Sequence, residues 1–148
     1  FIFLCLEEHI KKYNLEQELK KIEPGCIIIP VKEVTQGAAC TVLLAEKYID
    51  NEDMLMIANS DQYVTADIND YMEAISDNDG LIMTMKANDP KWSFIACNEA
   101  GKITEVREKE VISDEATVGI YNFRHGSDYV RYARQTITSE VWTMACMD

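Results

Sequence analysis

The stretch Asp53 to Val64 reads DMLMIANSDQYV, an apolar run from Met54 to Ala58 that stops abruptly at Asn59-Ser60-Asp61-Gln62. A run so short, bounded by turn formers, reads as a buried strand, and open α/β sheets bind their ligands beyond the carboxyl ends of such strands. Asp61 is therefore the candidate centre of a site. The competing reading is an ordinary turn with a helix cap, since Asp and Asn hydrogen-bond their own backbone there.

Three further stretches carry groups that could do chemistry. Thr35 to Cys40, TQGAAC, sits at a strand-to-helix junction. Its small residues let a planar group approach the backbone, Gln36 can meet a base edge with amide donors and acceptors, and the N–H groups of a helix start favour an anion. The same residues would also suit close packing of a helix on a sheet. In Val106-Arg107-Glu108-Lys109-Glu110, a lysine at a strand end supplies a point charge for a phosphate and a neighbouring carboxylate accepts from hydroxyls. The alternative there is a solvated charge run. Finally, Asp89-Pro90-Lys91-Trp92-Ser93 puts an indole just after a proline-bearing loop, as a ligand platform or as core.

Composition limits what such groups can bind. The net charge of -12 argues against nucleic acid, because phosphate binding along a nucleic acid needs a basic surface. An acidic protein that handles phosphates must use local devices: a metal ion, a placed lysine, or backbone N–H groups. The hydrophobic 47% lies in short runs, none near the ~20 residues of a membrane span, so no membrane insertion is expected. The opening FIFLCL reads as a strand rather than a leader, and five cysteines with no CxxC pairing suit a reducing, cytoplasmic compartment. With only His9 and His125, a zinc site is not expected.

The elements that must position these residues follow from periodicity. Strands are expected at Phe1 to Cys5, Cys26 to Val31, Met54 to Ala58 and Leu81 to Lys86, with helical runs at Leu6 to Ile22, Gln36 to Ile49 and Asp67 to Ser76, the last capped by Asp67. That alternation predicts βαβ units around a parallel sheet. After Ala87 the pattern changes: Trp92 to Cys97 and Lys102 to Arg107 flank a hairpin loop at Asn98-Glu99-Ala100-Gly101, then a strand from Ala116 to Phe123 precedes a helix from Ser127 to Thr138. All 148 residues read as a single, partial domain.

The succession TQGAACTVLLAEKYI, IANSDQYV, WSFIACNEAGKITEVREKE and EATVGIYNF resembles the sugar nucleotidyltransferases, or nucleotide-diphospho-sugar pyrophosphorylases, from Phe1 to about Thr136. The resemblance implies a three-layer α/β sandwich with a mixed, mainly parallel central sheet. It implies nucleotidyl transfer from a nucleoside triphosphate to a sugar 1-phosphate or similar acceptor, releasing pyrophosphate, with Mg2+, as in polysaccharide biosynthesis. Carried over residue by residue, Asp61 would bind the metal, and Thr35, Gln36, Gly37 and Ser60 the nucleotide. Glu108 would take a sugar hydroxyl and Lys109 the phosphate. Trp92 and Ser93 stand where the family commonly has Tyr-Gly, and Thr117 and Gly119 would line the sugar pocket. Glu110 replaces a frequent proline after Glu-Lys, and Asn-Ser-Asp-Gln replaces the common Gly-Asp-Asn form.

The match begins at the family's second strand, without the first strand and its Gly-rich phosphate loop. The expected consequence is shifted strand pairing, a partner chain or homo-oligomer completing the sheet, or a longer gene. Nor does the tail Ser139 to Asp148, with Trp142, show an equivalent of the family's second metal aspartate. A non-catalytic nucleotide- or nucleotide-sugar-binding domain remains the alternative. A related-fold glycosyltransferase usually has an Asp-x-Asp pair, whereas Asp61-Gln62-Tyr63 lacks the second acid.

Overall fold

A computed structural model describes residues 1–138. The chain divides into two compact units, one of Phe1–Asp53 with the chain from His125 onward, the other of Met54–Arg124.

In the first unit, β1 (Ile2–Leu6) pairs in parallel with β2 (Ile27–Val31), Ile2 opposite Ile27 and Leu6 opposite Val31. Two helices bridge them, α1 (Glu7–Tyr13) and α2 (Leu15–Ile22), where one long helix is expected from periodicity. The break is Asn14, at φ 50 in the left-handed conformation that Asn tolerates better than most residues. Ion pairs one turn apart, Lys11 to Glu7 and Lys20 to Glu16, reinforce the two exposed helices. The Gln36 to Ile49 run is likewise split, into α3 (Ala38–Leu43) and α4 (Glu46–Ile49). Leu44 and Ala45 donate to residues three back, tightening the last turn of α3 until it ends. Then α6 (Gly126–Thr138) returns to this unit, burying Tyr129, Val130 and Ala133 and donating the Tyr129 hydroxyl to the Ala39 carbonyl at 3.1 Å.

The second unit is built around β7 (Glu115–Phe123). Along one edge runs β4 (Gly80–Lys86), from Gly80 opposite Phe123 to Lys86 opposite Glu115. The other edge is shared. Strand β3 (Leu55–Ala58) takes the Phe123 to Ile120 half, and β5 (Ser93–Cys97) meets the other half at Phe94, opposite Ala116. Strand β6 (Ile103–Glu108) closes the hairpin with β5 and ends the sheet. Met83, Val118 and Ile120 form the buried cluster, with Met56, Val64, Tyr71 and Met85 packed against it. Helix α5 (Ile68–Glu73) begins as expected at Asp67, whose carboxylate accepts from the Asn69 N–H at 2.8 Å, and runs on into a 3-10 turn to Asp77.

The mixed α/β class stands, but the expectation of mainly parallel pairing needs correcting. Among the described residues one pairing is parallel, β1 with β2, and those of β3, β4, β5 and β6 are antiparallel. The reason is β7, which runs against three strands at once. Neither β1 nor β3 has a partner along its second edge among the described residues. No described helix is long and apolar enough to cross a membrane.

Candidate functional site

The two edges of β7 explain how the second unit gathers its functional groups. With β4 filling one edge, β3 and β5 lie end to end along the other, and both run antiparallel to β7. The carboxyl end of β3 therefore faces the amino end of β5. Between them, at Val118 to Ile120, β7 bulges: Ile82 and Thr84 of β4 are separated by one residue, while their partners Tyr121 and Thr117 are separated by three.

Gly119 makes that bulge. Its φ of +77° is one that side-chain-bearing residues rarely adopt, and an added Cβ would overlap the Asn59 amide. Its carbonyl accepts from the Asn59 N–H at 3.0 Å, the last rung before the chain leaves β3 for the exposed turn at Ser60 and Asp61. Thr117, buried at 5% exposure, meets the Tyr121 hydroxyl at 3.3 Å.

Across the break, Ser93 opens β5 directly opposite Glu108 at the end of β6. Lys109 follows with φ 57, and this left-handed step turns its N–H onto the Trp92 carbonyl at 3.1 Å. So the chain turns here without the proline the family often carries, Glu110 standing in its place. The Lys109 ammonium lies 3.5 Å from Glu108, with both side chains more than 70% exposed. A pair so open holds neither partner, leaving both available to a ligand. Asp61, Ser60, Trp92, Ser93, Glu108, Lys109, Thr117 and Gly119 thus all belong to one unit, at the β3 end, the β5 start and the β7 bulge between them.

Thr35, Gln36 and Gly37 belong to the other unit, in the loop from β2 to α3. Thr35 donates its hydroxyl to the Gly37 carbonyl at 3.1 Å and meets the Thr41 hydroxyl. A pocket of about 350 Å³ opens at the carboxyl ends of β1 and β2, lined by Leu6, Val31, Val34, Thr35, Gly37 and Ala38 among others. It is apolar, concave and large enough for a planar ring. Gln36 is exposed and does not line it.

Two residues escape sequence reasoning. Asn59 looks like one more turn former in a polar run, yet its side chain sits on Gly119. Lys91 lies over the Trp92 ring at 5.1 Å and 3.3 Å from Asp89, whose carboxyl is held below the usual range chiefly by the Lys91 backbone N–H. Adjacency in Lys91-Trp92 is the only signal of this second cation.

The sequence profile of the nucleotidyl transferase family matches residues 2–139. The chain belongs to that family. Solved structures share the nucleotidyl transferase fold. One is a nucleoside-diphosphate-sugar pyrophosphorylase from Vibrio cholerae, at TM-score 0.75 and 22% identity, covering 97% of this chain and 61% of that one. Another is a putative glucose-1-phosphate thymidylyltransferase from Bacillus anthracis, at TM-score 0.69 and 16% identity, covering 98% and 73%. A third is the inositol-1-phosphate CTP transferase from T. maritima, at TM-score 0.70 and 16% identity, covering 97% and 56%. The chain thus spans about three-fifths of the length of the first of these. No protein of curated function matches it.

For a member of this family, the metal is a question of donors. Among the described residues no group of three or more His, Cys, Asp or Glu could hold an ion. Magnesium does not need one, since it commonly binds through one or two carboxylates, waters and substrate phosphates. Asp61, exposed and without a hydrogen bond or ion pair among the described residues, fits that manner of binding. The tail from Ser139 to Asp148, in which the sequence shows no equivalent of the family's second metal aspartate, lies outside the described residues.

Proposed function

We propose that the chain carries part of the machinery for nucleotidyl transfer from a nucleoside triphosphate to a sugar 1-phosphate, releasing pyrophosphate and an activated sugar. The reading rests on the break along β7, where Asp61 leaves the end of β3 beside the start of β5, and Glu108 and Lys109 end the neighbouring strand.

In such a reaction an oxygen of the sugar phosphate attacks the α-phosphorus of the triphosphate, and the bond to the leaving pyrophosphate breaks. Two anions must approach, so the protein's task is to position them and offset their charge. Lys109 meets the acceptor phosphate, Lys91 adds a second positive charge beside Trp92, and Glu108 accepts from a sugar hydroxyl. Trp92 and Ser93 lie against the sugar, while Thr117 and Gly119 form the floor. Ser93, in place of the family's glycine, adds a hydroxyl facing an acceptor that need not be a plain hexose phosphate. Asp61 would hold Mg2+, which when bound supplies Lewis-acid neutralisation of the phosphate oxygens. Ser60 contributes a hydroxyl to the polyphosphate, and Thr35, Gln36 and Gly37 offer the apolar pocket and an amide to the base.

The odd number of cysteines, with Cys5, Cys26, Cys40 and Cys97 free, supports a cytoplasmic setting. Supply of activated sugar to polysaccharide biosynthesis would be its use.

The test is pyrophosphate release by the full gene product with a panel of nucleoside triphosphates and sugar 1-phosphates. Asp61→Ala and Lys109→Ala should each lower turnover by roughly 10²-fold or more without altering the unfolding midpoint. Unchanged release by either variant would end the assignment. Nucleotide binding by calorimetry with no release at all would favour the non-catalytic binding domain instead.

A further inference from the structure

Among the described residues one buried side-chain polar atom has no hydrogen-bond partner, the Oδ1 of Asn122. Asn122 stands in β7 between Met56 of β3 and Leu81 of β4 and is 1% exposed. Ile120, two residues earlier, belongs to the buried cluster of this unit, so Asn122 projects from the same face, where an apolar residue is the ordinary choice.

Its amide nitrogen faces two thioethers, Met72 Sδ at 3.5 Å and Met54 Sδ at 3.7 Å. The nitrogen carries two N–H groups, enough for one on each sulfur. Neither bond is strong, since a thioether is a weak acceptor, and the carbonyl end of the amide gains nothing. An amide so poorly matched to reduced methionine is well matched to its oxidised form, and an unsatisfied buried group of this kind calls for such an explanation.

The two sulfurs differ in access. Met54 is 43% exposed, whereas Met72 is half-buried and Met83 is buried. Oxidation of a methionine makes its apolar side chain polar, which in an ordinary core disrupts packing. At Met54 the new oxygen meets a donor already in place.

We propose that Met54 is an oxidation site for hydrogen peroxide, with Asn122 as the built-in donor for the sulfoxide oxygen. One peroxide oxygen bonds to Sδ as the O–O bond breaks; the sulfur gives up two electrons, and the other oxygen leaves as water with both protons. The flexible, unbranched side chain turns the sulfoxide oxygen to one Asn122 N–H, while the second N–H stays on Met72. A weak bond to sulfur is exchanged for a full N–H···O bond, so the fold keeps its stability on oxidation. This inference involves none of the substrate chemistry proposed above and stands or falls independently.

Limited hydrogen peroxide treatment, followed by peptide mass mapping and thermal unfolding, tests it. Met54 should gain one oxygen before Met56, Met72, Met83 and Met85, and the thermal midpoint of the wild type should move by less than about 1 °C. Asn122→Leu keeps a similar volume and removes both the donors and the unpaired oxygen, so in that variant the same oxidation should lower the midpoint by about 3 °C or more. Met54→Leu treated identically measures what oxidation of the remaining methionines does, and that change is subtracted. If Asn122→Leu misfolds, NMR of the wild type serves instead: the Asn122 side-chain N–H signals should move downfield as Met54 oxidises. Oxidation of Met56, Met72, Met83 or Met85 ahead of Met54, an equal midpoint change in wild type and Asn122→Leu, or Asn122 signals that do not move would overturn the proposal.

Discussion

Replacing Gly119 with alanine perturbs the joint on which the second unit turns. Two costs can be worked from the structure. The backbone sits at φ +77°, and holding a side-chain-bearing residue in the left-handed region costs about 1–2 kcal/mol. The new Cβ would also overlap the Asn59 amide and stand 3.0 Å from Asn59 Cγ. The amide can rotate away only by giving up its seat on the bulge, so this adds about 1 kcal/mol, the low end for overpacking. Gly119→Ala should therefore destabilise by about 2–3 kcal/mol, read as a lower urea midpoint at unchanged slope. The two costs separate in a double-mutant cycle. Asn59→Ala removes the overlapping amide and leaves only a Cβ contact at 3.3 Å, so in that background the alanine should cost only its backbone term. A cost below about 0.5 kcal/mol, the scatter of ordinary surface changes, or the same cost in both backgrounds would refute the close packing of Asn59 on the bulge.

Gly126 opens α6 so close to α4 that a Cβ there would collide with the Ile49 carbonyl oxygen and lie 3.0 Å from its carbon. Backbone cannot swing aside as an amide can, so Gly126→Ala should cost about 3 kcal/mol or more, and an unchanged thermal midpoint would contradict it. Burial pushes the Tyr71 and Tyr129 hydroxyls up to about 12, with Cys40 adding to the effect at Tyr129. Because the folded value lies above the unfolded one near 10, each contribution is whole below pH ~10 and is lost as pH rises through 12. Two of the seven tyrosines should ionise late in an ultraviolet titration, and stability should fall over the same window; Tyr71→Phe should remove one late step and the hydroxyl's 3.0 Å bond to the Leu81 carbonyl.

Much of this molecule is written in local signals. Every strand expected from an apolar run is present to within a residue or two, the Asp67 cap is in place, and Asn98-Glu99-Ala100-Gly101 makes the hairpin with Gly101 at φ +75°. Helix continuity was less legible. Asn14 and Ala45 interrupt runs whose periodicity passes straight through them, because a single residue's backbone step hardly disturbs a hydrophobic repeat.

Local sequence also names the chemistry: the acid after β3, the Glu-Lys pair after β6, the indole before β5. It does not say which of these meet. Alternating strands and helices argued for parallel neighbours, yet β7, the last strand in the chain, inserts between β4 on one side and β3 and β5 on the other. Pairing between distant segments is chosen by how well whole faces bury together, and no window of sequence contains that sum. The residue types of the candidate site are thus a property of the chain, and the placing of the β3 end and the β5 start along one edge of β7, on either side of the Gly119 bulge, is a property of the folded sheet.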